Sequence, residues 1–294
     1  MRLLILPHIK IHNANALSSP FTIGFPAMTA WLGFTHALER KLNQAGLNDL
    51  LLHSAAVVSH QCDVQTHKGD GDFVHSIIGT GNPLDKDGSR SAFIEEARCH
   101  LEVSLLVEIE SSSKRQRDQL LDLVNSIVAS MKFASGDVLS VKPCTILNFD
   151  DDEDQDKELR PILNKLMLGH VLIERRDLVI QSMKEGKDAL DSILDYLKVT
   201  HSSTQDEDGK VTWTSKRKAQ GWLVPIAVGF QGISELRHAK NQRDVNTPHR
   251  FAESVLTLGE FVMPYRIESI DQLLWQYHVD LENSLYLCQN QNTH

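Results

Sequence analysis

Fourteen histidines and four cysteines are the residues of this chain best equipped for acid–base, nucleophilic or metal chemistry. Their spacing does not organise that chemistry. General acid–base work needs a partner within hydrogen-bond reach, and no recognisable pairing of a histidine with a carboxylate stands out along the chain. His8 and His12 share one face of an alternating segment with Lys10 between them, which reads as a row of exposed strand positions. Cys62, Cys99, Cys144 and Cys288 lie far apart, without a C-x-x-C pair or a Cys/His cluster at zinc-ligand spacing. They read as four reduced thiols in cores and loops, and neither a metal nor a cofactor is expected. The G-x-S-x-G, Walker lysine, H-E-x-x-H and dinucleotide glycine patterns do not occur. No catalytic residue is therefore expected.

What the sequence does supply is a vocabulary for holding phosphate and sugar. Asn13-Ala14-Asn15-Ala16-Leu17-Ser18-Ser19-Pro20 places short amides and hydroxyls just before a predicted helix N-terminus, where unpaired N–H groups favour an anion. Spacing alone leaves a simple capped turn equally open. The stretch from Glu235 to Arg250, ELRHAKNQRDVNTPHR, mixes the side chains that contact phosphate, ribose and base edges, although its composition also suits a solvated loop. Phe25, Trp222 and Phe230 offer rings on which bases stack, or alternatively core.

Charge is divided unevenly. The net charge is −9, and the run from Asp150 to Glu158, with seven acids and one lysine, carries −6 of it. Such a run is expected to be a solvated loop. Between Lys216 and Arg250 the balance reverses. Lys216, Arg217, Lys218, Arg237, Lys240, Arg243 and Arg250 face only Glu235 and Asp244.

The elements that must position these residues follow from periodicity. Leu3, Ile5, Pro7, Ile9 and Ile11 alternate with His8, Lys10 and His12 as in a half-buried strand, with Pro7 marking an edge or a bulge. The following NANALSSPFTIGFP reads as irregular. Met28, Trp31, Phe34 or Thr35, Leu38 and Leu42 predict a helix ended by Gly46. Leu50–Ser59 reads as a strand, 61–96 as a long turn-rich insertion, and His100–Glu110 as the clearest strand. Lys114–Phe133 predicts an amphipathic helix stopped by Gly136, and Val138–Phe149 a further strand. The order is β-α-β, insertion, β-α-β, the ferredoxin-like arrangement of an α+β fold shared with RNA-recognition motifs. Beyond it, Pro161–Leu168 and Leu190–Leu197 read as helical, TQDEDGK as an acidic loop and GWLVPIAVGFQG as a strand. An amphipathic stretch, Phe251–Leu274, follows the basic loop. We divide the chain into a core over 1–149, with its insertion at about 61–96, and a helical or irregular elaboration over 150–294. That elaboration carries the acidic loop 150–158 and the basic loop 235–250. No apolar stretch approaches the roughly 20 residues needed to span a bilayer, and the N-terminus lacks the apolar centre of a signal peptide. A cytoplasmic protein without membrane contact is expected.

Four segments carry a resemblance to a known family. They are Asn13–Leu38 (NANALSSPFTIGFPAMTAWLGFTHAL), Gly81–Ser89 (GNPLDKDGS), Glu95–Leu106 (EEARCHLEVSLL), and GWLVPIAVGF followed by NQRDVNTPHRFAESVLTLGEF and LLWQYH. Together they resemble the second-subunit family of the Csy complex, the type I-F CRISPR surveillance assembly. This Cas-five-type family caps the 5′ end of the guide RNA (crRNA). The segment from Asp150 to Lys210 matches least.

The resemblance implies a ferredoxin-like RNA-binding core with a thumb-like insertion and a non-catalytic role. It implies partners too: the 5′ handle of the crRNA, the large Csy subunit, the first backbone Csy subunit and, indirectly, the target double-stranded DNA, whose sequence is read by base pairing. Residue by residue, it points to Asn13, Asn15, Ser18 and Ser19 at the handle, with Arg98, Arg237, Arg243 and Arg250 as further RNA contacts. Asn82, Lys86 and Arg90 would form a wedge between handle and spacer. Two other readings stay open: a guide-precursor endoribonuclease, as in another CRISPR subtype, and a pure protein–protein adaptor. Dependence on the large subunit is also expected, because GWLVPIAVGF and FAESVLTLGEFV are more apolar than the short helices around them can cover.

Overall fold

A computed structural model of the chain describes residues 1–79, 84–90, 96–110, 117–148, 155–242 and 244–290, with the backbone alone for 155–158. Asn82, Arg243 and the acidic residues 150–154 lie outside the described residues.

The first strand, β1 (Arg2–Asn15), changes face midway. Its register against the strand beside it shifts between Leu6 and Ile9, and His8 has a φ of 50°. A bulge inserts one residue and moves every later side chain to the opposite face. Leu4, Leu6, Ile9 and Ile11 consequently share one core, while Leu3 and Ile5 enter a second one. Unbroken alternation had placed Leu3, Ile5, Ile9 and Ile11 together, so the Pro7–His8 bulge corrects that expectation. His8, Lys10 and His12 follow Leu3 and Ile5 on the second face.

Helix α1 (Met28–Gln44) buries Met28, Trp31, Leu32, Phe34, Thr35, Leu38 and Leu42, the stripe expected of a 3.6-residue period. Strands β2 (Leu51–Val64) and β3 (Arg98–Glu110) pair antiparallel along almost their whole length. The pairing continues through Gln61, Cys62, Asp63 and Val64, so the first residues of the expected insertion belong to the sheet. Past them comes a small hairpin, Thr66–His67 against Ser76–Ile77. Helix α2 (Arg117–Val128) packs beside α1 on the first core. It ends at Val128, well before Gly136, which lies in a strand so close to β1 that a Cβ there would stand 2.9 Å from the Ala14 backbone. The segment expected as one strand over 138–149 divides into β5 (Gly136–Ser140) and β6 (Thr145–Asn148), preceded by the short β4 (Lys132–Phe133). β5 pairs with residues 10–12 of β1 and β6 with residues 2–5.

The second half of the chain adds more strand than helix, against the helical or irregular expectation. β7 (His170–Glu174), β8 (Leu223–Gly232), β9 (Ala252–Val262), β10 (Trp275–Asp280) and β11 (Leu285–Asn290) extend one eleven-stranded antiparallel sheet. The outer edge of β2 meets β10 at Ala55 and β7 at Val58 and Ser59, which closes β7-β9-β8-β11-β10-β2 into a ring. The Phe251–Leu274 stretch is therefore strand followed by two 3₁₀ turns. Helix α3 (Gln155–Lys165) begins inside the run expected as an acidic loop. Leu159, Ile162, Leu163 and Leu166 seal the second core. Helices α4 (Arg176–Lys184) and α5 (Ala189–Leu197) pack over β8 and β9, burying Leu223 and Leu258 between Val179, Ile193 and Tyr196. The middle of GWLVPIAVGF is thus covered from within, while Trp222 and Phe230 at its ends stay about half exposed. Among the described residues, five helices and the sheet make a mixed α and β architecture, and no helix there is long and apolar enough to cross a membrane.

Candidate nucleic-acid interface

At the end of β1, Asn13 occupies a second bulge with a φ of 59°, a left-handed conformation that asparagine tolerates. Its N–H donates to His100 Nδ1 at 3.3 Å, and its Oδ1 accepts from Gln65 Nε2 at 3.1 Å. Asn15 folds the next turn. Its Nδ2 donates to the Leu17 carbonyl at 3.0 Å while its Oδ1 accepts the Leu17 N–H at 3.1 Å. This bracket starts a hairpin, Leu17–Ser19 against Thr22–Ile23, in a segment expected to be irregular. The Ser18 and Ser19 hydroxyls both bond Thr22 Oγ1, at 2.8 and 2.7 Å. Arg98 is the register partner of Asn15, and its Nη2 donates to Glu96 Oε2 at 2.7 Å. These five residues are therefore brought together, but the Asn15 amide and both hydroxyls are engaged in building the hairpin. What the hairpin presents outward is Phe21, 67% exposed.

Phe21 lines a groove with Gln231 and Glu253, next to the Gly232–Ala252 pair from which the basic loop springs. The Leu17–Ile23 hairpin and the basic loop thus lie at one end of the molecule. The loop is ordered by its own polar side chains. Gln242 Oε1 accepts the Ala239 N–H at 2.7 Å, and its Nε2 donates to the Asp244 and Thr247 carbonyls at 2.6 and 3.2 Å. Asp244 takes the Asn246 N–H at 3.0 Å and the Thr247 hydroxyl at 2.6 Å, bonds that hold its carboxyl below the ordinary range. Reciprocal backbone bonds between Arg237 and His249, 2.8 and 2.7 Å, close the base. Inside is a cavity of about 420 Å³ lined by Ser234, Arg237, His238, Lys240, His249 and Arg250, among others, and its described lining includes no acid. Gln242 and Asp244, which position this loop, carry no sequence signal beyond the general turn preference of their types.

The insertion places Lys86 in a tight turn, where Asp85 N–H donates to the Ser89 carbonyl at 3.0 Å and Asp87 takes the Ser89 N–H at 2.9 Å. Lys86 and Arg90 are exposed.

A third polar assembly escaped sequence reasoning. On the second face of β1, β2 and β3, the His8 and His60 rings stack at 4.3 Å and those of His12 and His100 at 4.6 Å. The first pair closes over Ser104, whose small side chain is fully buried on the strand between them. Ser104 Oγ accepts the His8 N–H at 2.9 Å and lies 2.7 Å from His60 Nε2, while His60 Nδ1 lies 2.8 Å from the Leu168 carbonyl. A carbonyl only accepts, so Nδ1 holds the proton and Nε2 accepts from the serine. Glu102 Oε1 lies 2.7 Å from His8 Nδ1 and Lys10 approaches its Oε2 to 3.8 Å. The alternation of β3 does place His100, Glu102 and Ser104 together; their pairing with β1 and β2 is the missing information.

Burial lowers the proton affinity of His60 below its ordinary 6.5, and the His8 hydrogen bond holds Glu102 below its ordinary 4.5. For a histidine whose value falls on folding, the unfolded chain takes up the proton first, so acidification favours unfolding from about pH 6.5 downward. The Glu102 contribution is present above pH 4.5 and is lost as pH falls through its depressed value. Urea midpoints should decline progressively below about pH 6.5, and His60→Gln should flatten the upper part of that decline. An unaltered pH profile in that variant would remove His60 from the account.

Comparison with known proteins returns one consistent result. The family model described as CRISPR-associated protein (Cas_Csy2) matches residues 4–288. The chain is 32% identical over 310 residues to CRISPR-associated protein Csy2 of Pseudomonas aeruginosa (strain UCBPP-PA14), covering 97% of this chain and 94% of that relative.

Proposed function

The chain belongs to the family of CRISPR-associated Csy2 proteins, and on that premise we propose that it is a non-catalytic subunit of a type I-F CRISPR surveillance complex that holds the 5′ handle of the guide RNA. The observation that carries the RNA-holding part is the ordered basic pocket formed by Arg237, His238, Lys240, His249 and Arg250. The loop's internal hydrogen bonds fix the backbone that carries these side chains, so the cationic groups are gathered at one place before a phosphate arrives. Asn13, Arg98 and the neighbouring hairpin take the adjacent part of the handle. Residues 1–148 serve as a ferredoxin-like core, a reading supported by the strand order β2-β3-β1-β6 with α1 and α2 on one face. Lys86 and Arg90 stand on the thumb-like insertion that separates handle from spacer.

Pairing with the large subunit draws on a different surface. Ile180 and Met183 of α4, Leu190 and Leu194 of α5, and Phe21 are all 43–67% exposed, and exposed apolar patches mark protein interfaces. The backbone subunit receives the guide beyond the handle. Target double-stranded DNA reaches this chain only through the paired guide, in the cytoplasm.

The test uses the purified full-length chain with guide RNA carrying or lacking the 5′ handle, without metal. Handle-dependent retention of intact RNA is expected. A defined cleavage product abolished by one His→Ala change would replace the proposal with a guide-processing ribonuclease. No retention, with binding only to the large subunit, would make the chain a protein adaptor.

A further inference from the structure

We propose that the histidine row on the second face of the sheet is an additional single-stranded RNA site, in which a base stacks on the His12/His100 pair. The inference rests on the reading of this chain as a guide-RNA holder and adds a surface that this reading does not use. The row begins where the second core ends. Leu3, Ile5, Val58 and Leu106 lie under α3, and past them the same face turns to imidazole, ammonium and amide. Exposure rises along it, from the buried Ser104, through His8 and Glu102 with side chains 22% exposed, to Lys10 at 58%.

The outer His12 ring is exposed, and its contact among the described residues is the stack on His100, with 27° between the planes. An open imidazole face of this kind receives a base as other aromatic rings do, with little sequence preference. Charge permits the approach of a polyanion. Glu102 is paired with His8 and Lys10 and Asp137 with Lys132, and Lys10 and Lys142 stand beside the row against the charge of Asp63, whose hydrogen-bond partner Gln61 is neutral. The row is also joined to the handle residues. Gln65 Nε2 lies 3.1 Å from Asn13 Oδ1 and 3.3 Å from His100 Nε2. A strand leaving the Asn13 hairpin therefore finds a continuous polar path. A protein partner is the poorer match, since the large exposed apolar side chains of α4 and α5 lie on another surface.

The experiment uses the full chain, alone and in the assembled complex, with guide RNA carrying 4-thiouridine. Photo-crosslinks are expected on peptides containing His12 or His100. His12→Ala should weaken binding about tenfold, the loss of one base stack, and His12→Phe should restore most of it. Thermal melting should be unchanged in both, because the residue is exposed. If RNA crosslinks to the basic loop while His12→Ala binds within about twofold of the parent, the histidine row is not an RNA site and the guide-holding reading survives. Crosslinks from the row to a neighbouring subunit would make it a protein interface and overturn the proposal. If no RNA is retained at all, the proposal falls with the reading beneath it.

Discussion

Replacing Arg237 and Arg250 together by alanine is expected to lower guide-RNA affinity at least about a hundredfold, with the salt dependence of binding shallower by about two in log–log slope. Each charge-assisted hydrogen bond to phosphate contributes about 1.5–3 kcal/mol. Each neutralised phosphate also releases counterions, so removing a contact reduces the slope by roughly one. Both arginines line the same cavity, which is why the double change should remove a site and not merely trim a rim. Arg250 also donates to the Ser284 hydroxyl. Ser284→Ala therefore reports whatever part of the effect is structural, and should leave the slope alone. Neutralising the acids at 150–154 is the matching charge control. A like-charged run repelled from the RNA path should leave the slope unaltered, and any long-range gain in affinity should vanish as added salt screens it. Titrations at several salt concentrations decide the matter. An unchanged slope in the double variant would place the RNA elsewhere.

Trp275→Ala is expected to destabilise the fold by about 3–5 kcal/mol, a large share of the 5–15 kcal/mol that holds a typical domain together. Trp275 is fully buried, pairs with Ala55 where β10 meets β2, and donates its indole N–H to the Leu172 carbonyl of β7 at 2.9 Å. One side chain thus ties together three strands of the ring at the point where it closes. Its removal leaves both a cavity and a buried carbonyl without that donor, and the two costs add. Trp275→Phe fills most of the space but cannot donate, so it should lose only about 1–2 kcal/mol. Urea unfolding separates the two variants. A loss below about 1 kcal/mol for Trp275→Ala would show that ring closure does not depend on this residue.

How much of this was legible beforehand follows from the range over which each signal acts. The stripe of α1 and the alternation of β3 were readable because helical and strand periods are set by backbone geometry within a few residues. The apolar run GWLVPIAVGFQG was likewise readable as a strand, and so was the sign reversal of charge that marks the basic loop. The opposite was true of every feature that depends on which strand lies beside which. Alternation through Pro7 is unbroken in the sequence, yet the bulge turns Ile9 and Ile11 to the other face. The Asn13–Ser19 cluster was found by residue type, whereas its use of Asn15, Ser18 and Ser19 to fold a hairpin, with Phe21 facing outward, appears only in the hydrogen bonds.

His60 and Ser104 stand 44 positions apart and become partners only through the β2–β3 register, itself offset by a bulge between Ser59 and Gln61. Closure of the ring at Ala55, Val58 and Ser59 was invisible for the same reason. A strand's own pattern states which faces are apolar, and it is silent about the neighbour that each edge accepts. By itself, then, the sequence determined the types and apolar faces of α1, β3 and β8 and the charge of the basic loop. The tertiary structure alone decided the register, and with it the histidine row and the pocket in which the arginines converge.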